Sequence, residues 1–241
     1  MTGNIIYINK HYIAGISDTF GAKLHSHSLT EVYAAEDGDS HVHTENGELS
    51  GQIIVIKANA VHAIADRGKK GIALFIDPLT EFGYSLARNT LMDADFSVFN
   101  ADCAQNRWDA DGNEPSEATI QSISEHIIDA LQGEPVLRPF DEVVLKAIEL
   151  VNQDHCDYEM DSIAEQVSLS KSRLAHIFSA QTGITLKNYL QYKRLESACR
   201  RILDGSNITD AAFDTGFSGS SHIAVSSMKL TGLQLRTLLN L

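Results

Sequence analysis

The sequence predicts an α+β chain of two domains, a β-rich N-terminal domain followed by an all-α C-terminal domain. Short apolar runs separated by turn residues fill Ile5 to Ile76, a spacing typical of a small barrel or sandwich. From Glu117 to the C-terminal end, apolar residues recur at helical spacing. Within that second part a helix-turn-helix pattern occurs twice, which an ordinary helical core does not predict.

Length and charge limit the kinds of partner. The chain has 241 residues and a formal net charge of −13 at pH 7, which fits two globular domains. Up to Pro139 it holds 9 Lys and Arg against 20 Asp and Glu, and from Phe140 onward 10 against 12. Neither half is strongly basic, so affinity for DNA must come from locally placed cations and should depend on salt.

Cysteine usage and the N-terminus indicate a cytoplasmic protein without membrane association. Cys103, Cys156 and Cys199 are odd in number and form no Cys-x-x-Cys pair, so they give neither a disulfide framework nor a zinc finger. The chain starts without a positively charged segment, and no apolar run approaches the ~20 residues that span a bilayer.

The strands of the first domain are predicted from apolar or alternating runs. They are Glu31 to Ala35, His41 to Thr44, Gln52 to Ile56, His62 to Ala65 and Gly71 to Ile76. The breaks between them are Asp37-Gly38-Asp39, Asn46-Gly47, Ser50-Gly51 and Arg67-Gly68-Lys69. From Leu79 to Asn113 the pattern predicts loops with one short strand at Phe96 to Phe99.

Three helices are predicted outside the duplicated pattern. The first, Glu117 to Leu131, has an apolar side that would either pack inside its own domain or pair two subunits. The second is Phe140 to Val151, and the third is the long helix Leu186 to Leu203. In the long helix we expect Leu190, Leu195, Ala198, Ile202 and Leu203 to point inward, and Lys193, Arg194, Arg200 and Arg201 to point outward.

The first helix-turn-helix pattern runs from Asp161 to Gly183. Two apolar stripes at helical spacing, Ile163, Ala164 and Val167 and then Leu174, Ile177 and Phe178, can share one small core. Ser170 is placed to cap the second helix, and Gly183 to end it. The outer side of that helix carries the polar and cationic residues Lys171, Ser172, Arg173 and His176, as a recognition helix in a major groove does.

A second copy follows, with one helix from Ile208, a turn at Ser218-Gly219-Ser220 and another helix from Ser221 to Gly232. The long helix joins the two copies. Two recognition helices on one rigid spacer can enter successive segments of the major groove on one side of a duplex.

Over Phe140 to the end, the chain resembles the AraC/XylS family of bacterial transcription regulators. The matching residues are Ile163-Ala164-Glu165, Leu169-Ser170, Leu174, Ile177-Phe178, Thr182-Gly183, Tyr189-Leu190, Arg194-Leu195-Glu196, Ala198, Leu203, Ile208-Thr209, Ala212, Gly216-Phe217-Ser218, Ser221-His222-Ile223 and Gly232. The resemblance implies DNA contacts from Lys171, Ser172, Arg173, His176, Ser220 and Ser221. Arg173 is our first choice for a guanine contact because its fork matches guanine O6 and N7. The chain departs from the family at Ser227, Leu235 and Val225, where Phe, Pro and a cation are usual.

The first domain resembles the cupins. His25-Ser-His27-Ser-Leu-Thr-Glu31 with Gly38 has the spacing of the first cupin motif, and Gly51 with His62 fits the second. Lys57, Asn59 and Asp66 replace the usual Pro, Gly and Asn of that second motif. In the AraC/XylS family such a barrel receives an effector and mediates dimerisation.

The cupin-like residues allow two kinds of site. Period 2 puts His25 and His27 on one face of a strand, and imidazoles with a carboxylate suit Zn, Ni, Fe or Mn. His25, His27, Glu31 and His62 therefore either bind a divalent metal or line an effector pocket together with Tyr33. His41 and His43 form a second pair on one strand, which we interpret as a solvated hairpin.

We predict a transcription regulator and not an enzyme. Residues 1–115 form a cupin-like effector-binding barrel, residues 116–139 a helix and linker that can serve dimerisation, and residues 140–241 an AraC-type DNA-binding domain. The protein would bind double-stranded DNA as a homodimer under a small-molecule or metal effector. One alternative is a metal-dependent cupin enzyme, a dioxygenase or isomerase with a helical appendix. Metal-dependent cupins also bind their metal with three His and one Glu. Another is a metal sensor proper.

Overall fold

The computed structural model describes residues 5–17, 20, 23–66, 68–100, 116–153, 159–231, 235 and 239. It forms two compact units, one of Met1–Val136 together with Ser227–Leu241 and one of Leu137–Ser226. The predicted positions Cys103, Cys156 and Gly232 lie outside the described residues, and Cys199 is a buried free thiol. No helix in the described ranges combines the length and the apolar character that crossing a membrane requires.

Antiparallel strands build most of the first unit. They are β1 (Ile5–Ile8), β2 (Tyr12–Ser17), β3 (Thr30–Ala35), β4 (Ser40–Thr44), β5 (Gly47–Gly51), β6 (Ile53–Ile56), β7 (His62–Ile64), β8 (Gly71–Ile76) and β9 (Phe96–Phe99). One sheet has the order β1-β2-β8-β3-β6-β9, and a smaller sheet has the order β5-β4-β7. The five predicted strand runs and the short strand at Phe96 are confirmed.

The described strands of the predicted cupin-like barrel form two sheets, and no closed barrel is present among them. Among the described strands, β1 and β9 are the edges of the larger sheet, and β5 and β7 are the edges of the smaller one. Apolar alternation marks which faces of a strand are buried, but closure depends on strand tilt and stagger, which the alternation does not encode. Ser50 and Gly51, predicted as a break, pair within β5 with His41 and Ser40, because the turn at Asn46-Gly47 already reverses the chain.

The helix α1 (Glu81–Leu91) replaces a predicted loop. Thr80 caps it by accepting a hydrogen bond from the Gly83 amide at 3.0 Å. Gly83 weakens the helical pattern in the sequence, yet the packing requires it, because a Cβ there would lie 1.9 Å from the Asp77 carbonyl oxygen. The sequence pattern missed this helix because Gly83 lowers its helical propensity.

The helix α2 (Glu117–Leu131) has the bounds that the sequence predicts. Its apolar side, with Ile120, Ile123 and Ile127 each at most 1% exposed, packs in the core of the first unit. The two predicted alternatives were packing inside the domain and pairing of two subunits. The apolar side of α2 packs inside its own unit. The outer side carries Gln121 and Glu125.

Strand β3 separates the helices from the predicted site residues. Successive strand residues point to opposite faces of a sheet. Val32 and Ala34 belong to the core that contains the apolar residues of α1 and α2, so Glu31 and Tyr33 point to the other face. The strand is buried along both faces, which explains its nearly continuous apolar run.

The second unit is helical. Its helices are α3 (Glu142–Val151), α4 (Met160–Gln166), α5 (Lys171–Thr182), α6 (Leu186–Leu203) and α7 (Ile208–Asp214), and it includes the start of α8 (Ser220–Thr231). Several of its buried side chains belong to the predicted stripes, including Ile163, Leu174, Phe178 and Leu195, and Val144 and Ile148 are buried in α3. The predicted order, an antiparallel β-domain followed by a helical domain, is confirmed.

Candidate functional site

The turn between α4 and α5 is a tight helix-turn-helix connection. Ser168 adopts a left-handed conformation with φ of 56°, which lets the Leu169 amide donate to the Ala164 carbonyl at 3.0 Å. Ser170 then caps α5 by accepting from the Arg173 amide at 3.3 Å, as predicted. Gly183 ends the helix with φ of 71°, also as predicted.

The outer side of α5 presents the predicted DNA-facing residues. Lys171, Ser172, Arg173 and His176 are all exposed, while Leu174 is fully buried and anchors the helix. Lys171 is paired with Asp161, since its Nζ lies 2.7 Å from Oδ2 of that carboxylate. Among the residues that the structure describes, Arg173 and His176 have no side-chain hydrogen bond or ion pair. Arg173 is therefore available as a donor fork.

The same turn recurs 48 residues later, between α7 and α8. Gly216 has φ of 82° where Ser168 is left-handed, and the Phe217 amide donates to the Ala212 carbonyl at 2.8 Å. Left-handed backbone followed by a closing hydrogen bond is thus repeated, which confirms the predicted duplication. Ser220 and Ser221, the predicted DNA contacts here, are exposed at the start of α8.

Helix α6 connects the two copies, and three of its own charged side chains form a network. Glu196 accepts hydrogen bonds from Lys193 at 3.0 Å and from Arg200 at 2.8 Å. Burial raises the pKa of Glu196, but the two cations outweigh it and leave the pKa below its ordinary value. Lys193, predicted outside, is buried because this carboxylate compensates its charge. Leu203, predicted inside, is 48% exposed at the last turn of the helix.

Arg194 was predicted to point outward as a structural or phosphate-facing cation. Its Nη2 donates to Oε1 of Glu159 at 2.6 Å, and its side chain is 22% exposed. The structural interpretation therefore fits its position in the second unit.

In the first unit, the structure brings together His25, His27, Glu31 and His62. His25 and His62 exchange backbone hydrogen bonds of 2.9 Å each, which places their side chains side by side. One ligand nitrogen from each of the three histidines lies within 4.8 Å of the other two. Oε2 of Glu31 is 2.9 Å from Nε2 of His27 and 3.0 Å from Nε2 of His62. These four residues are called the histidine cluster below.

Two buried ring nitrogens of the histidine cluster, Nε2 of His25 and Nδ1 of His27, have no hydrogen-bond partner among the described residues. Nδ1 of His62 lies 2.9 Å from the Ala60 carbonyl, so it carries a hydrogen. Nε2 of His62 faces Oε2 of Glu31 at 3.0 Å, a contact that is favourable when Nε2 also carries a proton or when a cation lies between the two atoms. In His25, Nδ1 faces the Lys23 carbonyl at 3.0 Å and carries a hydrogen, which leaves a lone pair on Nε2.

Electrostatics in the histidine cluster follow from burial and from the one carboxylate. Burial raises the pKa of Glu31, but the hydrogen bonds from His27 and His62 lower it well below its usual range. Burial lowers the pKa of His62, but the hydrogen bond and charge of Glu31 give a net rise. Burial and the neighbouring His62 lower the pKa of His25, which favours a neutral imidazole with a free lone pair. This combination of donors fits a divalent metal.

Three other predicted positions, Tyr33, His41 and His43, lie outside the histidine cluster. Tyr33 is fully buried two residues after Glu31 on the same face of β3, and its ring contacts Phe20 edge-on with centroids 5.9 Å apart. Burial and the Asp66 carboxylate raise the pKa of Tyr33, so its phenol is neutral. His41 and His43 lie beside Glu48 on the β4–β5 hairpin, where their side chains are 34% and 55% exposed.

The helical geometry agrees with comparisons to known proteins. A family model for a helix-turn-helix domain matches residues 163–240, which include both copies. The HTH-type transcriptional regulator YbfI of Bacillus subtilis is 30% identical over 105 residues, covering 43% of this chain and 38% of YbfI. The HTH-type transcriptional activator RhaS of Escherichia coli is 41% identical over 76 residues, covering 30% of this chain and 27% of RhaS.

Residues 163–240 are an AraC-type helix-turn-helix domain. The AraC-type domain thus contains the end of α4, the helices α5 to α8 and all six predicted DNA contacts. This chain matches well under half of the length of YbfI and of RhaS.

The whole chain has the fold of ToxT from Vibrio cholerae. One ToxT structure matches with a TM-score of 0.55 at 12% identity, over 99% of this chain and 98% of ToxT. A second, with an unsaturated fatty acid bound, matches with a TM-score of 0.54 at 11% identity, over 98% of each chain. At these identities the likeness concerns the fold, in which a β-domain precedes the AraC-type domain.

The predicted contacts on α8 left out further exposed residues of that helix. His222 and Val225 lie on the outer side of α8, and Val225 is 69% exposed. The repeat itself could have identified them, because α5 and α8 are both 12 residues long and start 49 positions apart.

Proposed function

We propose that this protein is a sequence-specific transcription regulator of the AraC type that binds double-stranded DNA. The observation that carries the proposal is the exposed side of α5, where the Arg173 guanidinium and the His176 ring lack partners among the described residues. A repeated turn that presents a second helix supports the same function, because two recognition helices on one duplex give more contacts than one.

Within α5, Arg173 is proposed as the base-reading residue. Its planar fork can donate two hydrogen bonds to one guanine. Lys171 already shares its charge with Asp161, so we assign it a phosphate contact that orients the helix and carries little sequence information. Ser172 and His176 flank Arg173 on the same side and complete the contact surface.

The test begins with selection of binding sites from a random duplex library by the full chain. On the selected site, Arg173→Ala should weaken binding about 5- to 150-fold and lose preference at one G·C pair. His176→Ala should have a smaller effect in the same direction. Lys146→Ala is the control, since it removes one exposed charge from α3, and it should change affinity less than about twofold.

Two results would contradict the proposal. One is the absence of any enriched sequence after selection. The other is a variant with both Arg173→Ala and His176→Ala that binds the selected site as tightly and selectively as the parent. Helical circular dichroism of each variant shows that a loss of binding is not a loss of fold.

We also propose that the first unit controls DNA binding through a ligand at the histidine cluster. The ligand is either a divalent metal, Zn, Ni, Fe or Mn, held by His25, His27, Glu31 and His62, or a small molecule that these residues contact together with Tyr33. The unpartnered His25 Nε2 and the facing His62 and Glu31 atoms support a metal. A fatty acid bound to ToxT supports an organic effector in a protein of this fold.

Strand β3 gives such a signal a physical route. Glu31 lies in the histidine cluster, and its neighbour Val32 lies in the core with α2, so a ligand that shifts β3 changes the packing of that helix. An equilibrium between two arrangements would then depend on ligand. A homodimer would raise the affinity of two DNA-binding halves that lack net positive charge through effective concentration, and it is tested by light scattering at several concentrations.

Metal analysis of the purified full chain separates the ligand hypotheses. A stoichiometric metal that Glu31→Gln removes, with DNA affinity that changes when a chelator is added, supports a metal sensor. If the metal is substoichiometric and the chelator does not change DNA affinity, the metal-sensor hypothesis is excluded and the organic-effector hypothesis remains. The rival interpretation of a metal-dependent cupin enzyme has the same ligand set, but the AraC-type domain and regulator relatives favour control of transcription.

A further inference from the structure

Helix α8 presents a different chemistry to DNA from α5. The two helices have equal length and start 49 residues apart, so residues at this offset occupy equivalent positions. Leu174 and Ile223 are an equivalent pair, both fully buried, which supports the alignment. By the same offset, His222 takes the position of Arg173, and Val225 takes the position of His176.

The outer side of α8 lacks cations where α5 has them. From Ser220 to Met228 there is no Lys or Arg, whereas Lys171 and Arg173 open α5. Val225 is 69% exposed, one turn after the exposed Ser221. A β-branched residue such as valine has a low helix propensity, so an exposed valine does not stabilise the helix. Its position on the contact side therefore suggests a role in binding.

His222 does not extend outward as a substitute for Arg173. Its Nδ1 accepts a hydrogen bond from the Ser218 amide at 3.3 Å and lies 3.2 Å from the Ser218 hydroxyl. Its ring also meets Phe217 edge-on, with centroids 5.2 Å apart. These contacts hold His222 against the turn, and they leave Val225 and Ser221 as the foremost side chains at the centre of the contact side.

We propose that α8 reads an A·T pair through contact of Val225 with the C5-methyl group of thymine, so that the two recognition helices favour segments of different composition. Thymine is the base that offers an apolar group in the major groove, and small apolar side chains contact that methyl. The proposal rests on the proposed function, DNA binding by the AraC-type domain. It assigns a guanine-containing segment to α5 and a thymine-containing segment to α8.

The test removes the methyl groups on each side of the contact, one from thymine and the two of the valine side chain. On the selected duplex, each thymine is replaced in turn by deoxyuridine, which lacks only the C5-methyl group. For the parent, one replacement in the segment contacted by α8 should weaken binding about fourfold, the value for one buried methyl group. Val225→Ala should weaken binding to the thymine duplex similarly and should no longer distinguish thymine from deoxyuridine. Val225→Thr, which keeps one methyl, should retain part of the discrimination.

Two controls separate this contact from general effects. Leu203→Ala removes an exposed apolar side chain from α6 and should leave the thymine preference intact. The slope of log affinity against log salt concentration should be the same for Val225→Ala and the parent, because no charge is lost.

The failures of the two proposals are distinguishable. If selection enriches no sequence, DNA binding by this chain is wrong and the Val225 contact falls with it. If a site is selected and Arg173→Ala weakens binding to it, but no deoxyuridine replacement separates the parent from Val225→Ala, the inference alone is overturned.

Discussion

In the first helix-turn-helix copy the Leu169 amide closes the turn on Ala164, and in the second the Phe217 amide closes it on Ala212. The backbone is the same, but the outer sides of the following helices differ, with Arg173 on α5 and Val225 on α8. The turn needs only a left-handed residue and a small buried one, so it constrains few positions. The contact side is therefore free to differ between the copies.

The cores of the two copies differ as well. Phe178 is fully buried in α5, and the equivalent residue of α8 is Ser227, also fully buried. A core can be filled by one large side chain or by a small one under closer packing. The comparison predicts that the two copies contribute unequally to stability.

The largest expected effect is therefore at Phe178. Phe178→Ala should lower the free energy of unfolding by about 3–5 kcal/mol, because it leaves a cavity. Ser227→Ala, at the equivalent position, should cost less than about 1 kcal/mol, since it changes the buried volume little. Urea unfolding of the full chain, followed by helical circular dichroism, measures both. Equal losses would show that the copies are packed alike.

A second prediction concerns Glu196, on the helix that joins the copies. Glu196→Gln should cost about 1–3 kcal/mol near neutral pH, because Lys193 loses a buried counter-charge. The folded pKa of Glu196 lies below its ordinary value of 4.5, so its contribution is present above that pH and disappears as pH falls through the folded pKa. The difference between variant and parent should shrink accordingly in acid.

Unfolding curves from neutral pH to pH values below the ordinary glutamate range measure this difference. Glu165→Gln, an exposed carboxylate on α4, is the matched control and should have almost no effect at any pH. A Glu196→Gln loss that persists unchanged in acid would contradict the proposed charge network.

The smallest effect is expected at the left-handed residue of each turn. Ser168→Gly should stabilise the chain by about 1 kcal/mol, and Gly216→Ser should destabilise it by a similar amount, because left-handed backbone disfavours a Cβ. Thermal or urea unfolding of the single variants and of the combined variant gives the comparison. If both changes destabilise, the two turns are not interchangeable.

Much of this architecture follows from local pattern. The bounds of α2 and α6 agree with the sequence because their apolar residues keep helical period from end to end. The histidine cluster was predicted from two short motifs in the first domain, and the structure brings all four residues together because β7 lies beside the segment at His25.

The errors arise where tertiary contacts decide. Helix α1 was missed because Gly83 is required by the nearby Asp77 carbonyl, which no local signal reveals. Lys193 was placed outside because a lysine at an outer helical position is usually solvated, whereas here Glu196 compensates it. Strand spacing left a barrel and a sandwich open, and the barrel was implied by the cupin resemblance, but neither determines which strand edges pair.

Hydroxyl-radical footprinting of the full chain on its selected duplex tests the central claim most directly, that both helix-turn-helix copies contact DNA. For each bound chain, we expect two protected segments about one helical turn, ~10 base pairs, apart on one side of the duplex. Arg173→Ala should weaken protection of one segment, and Val225→Ala should weaken protection of the other. A single protected segment per chain, or the same segment weakened by both variants, would contradict the account.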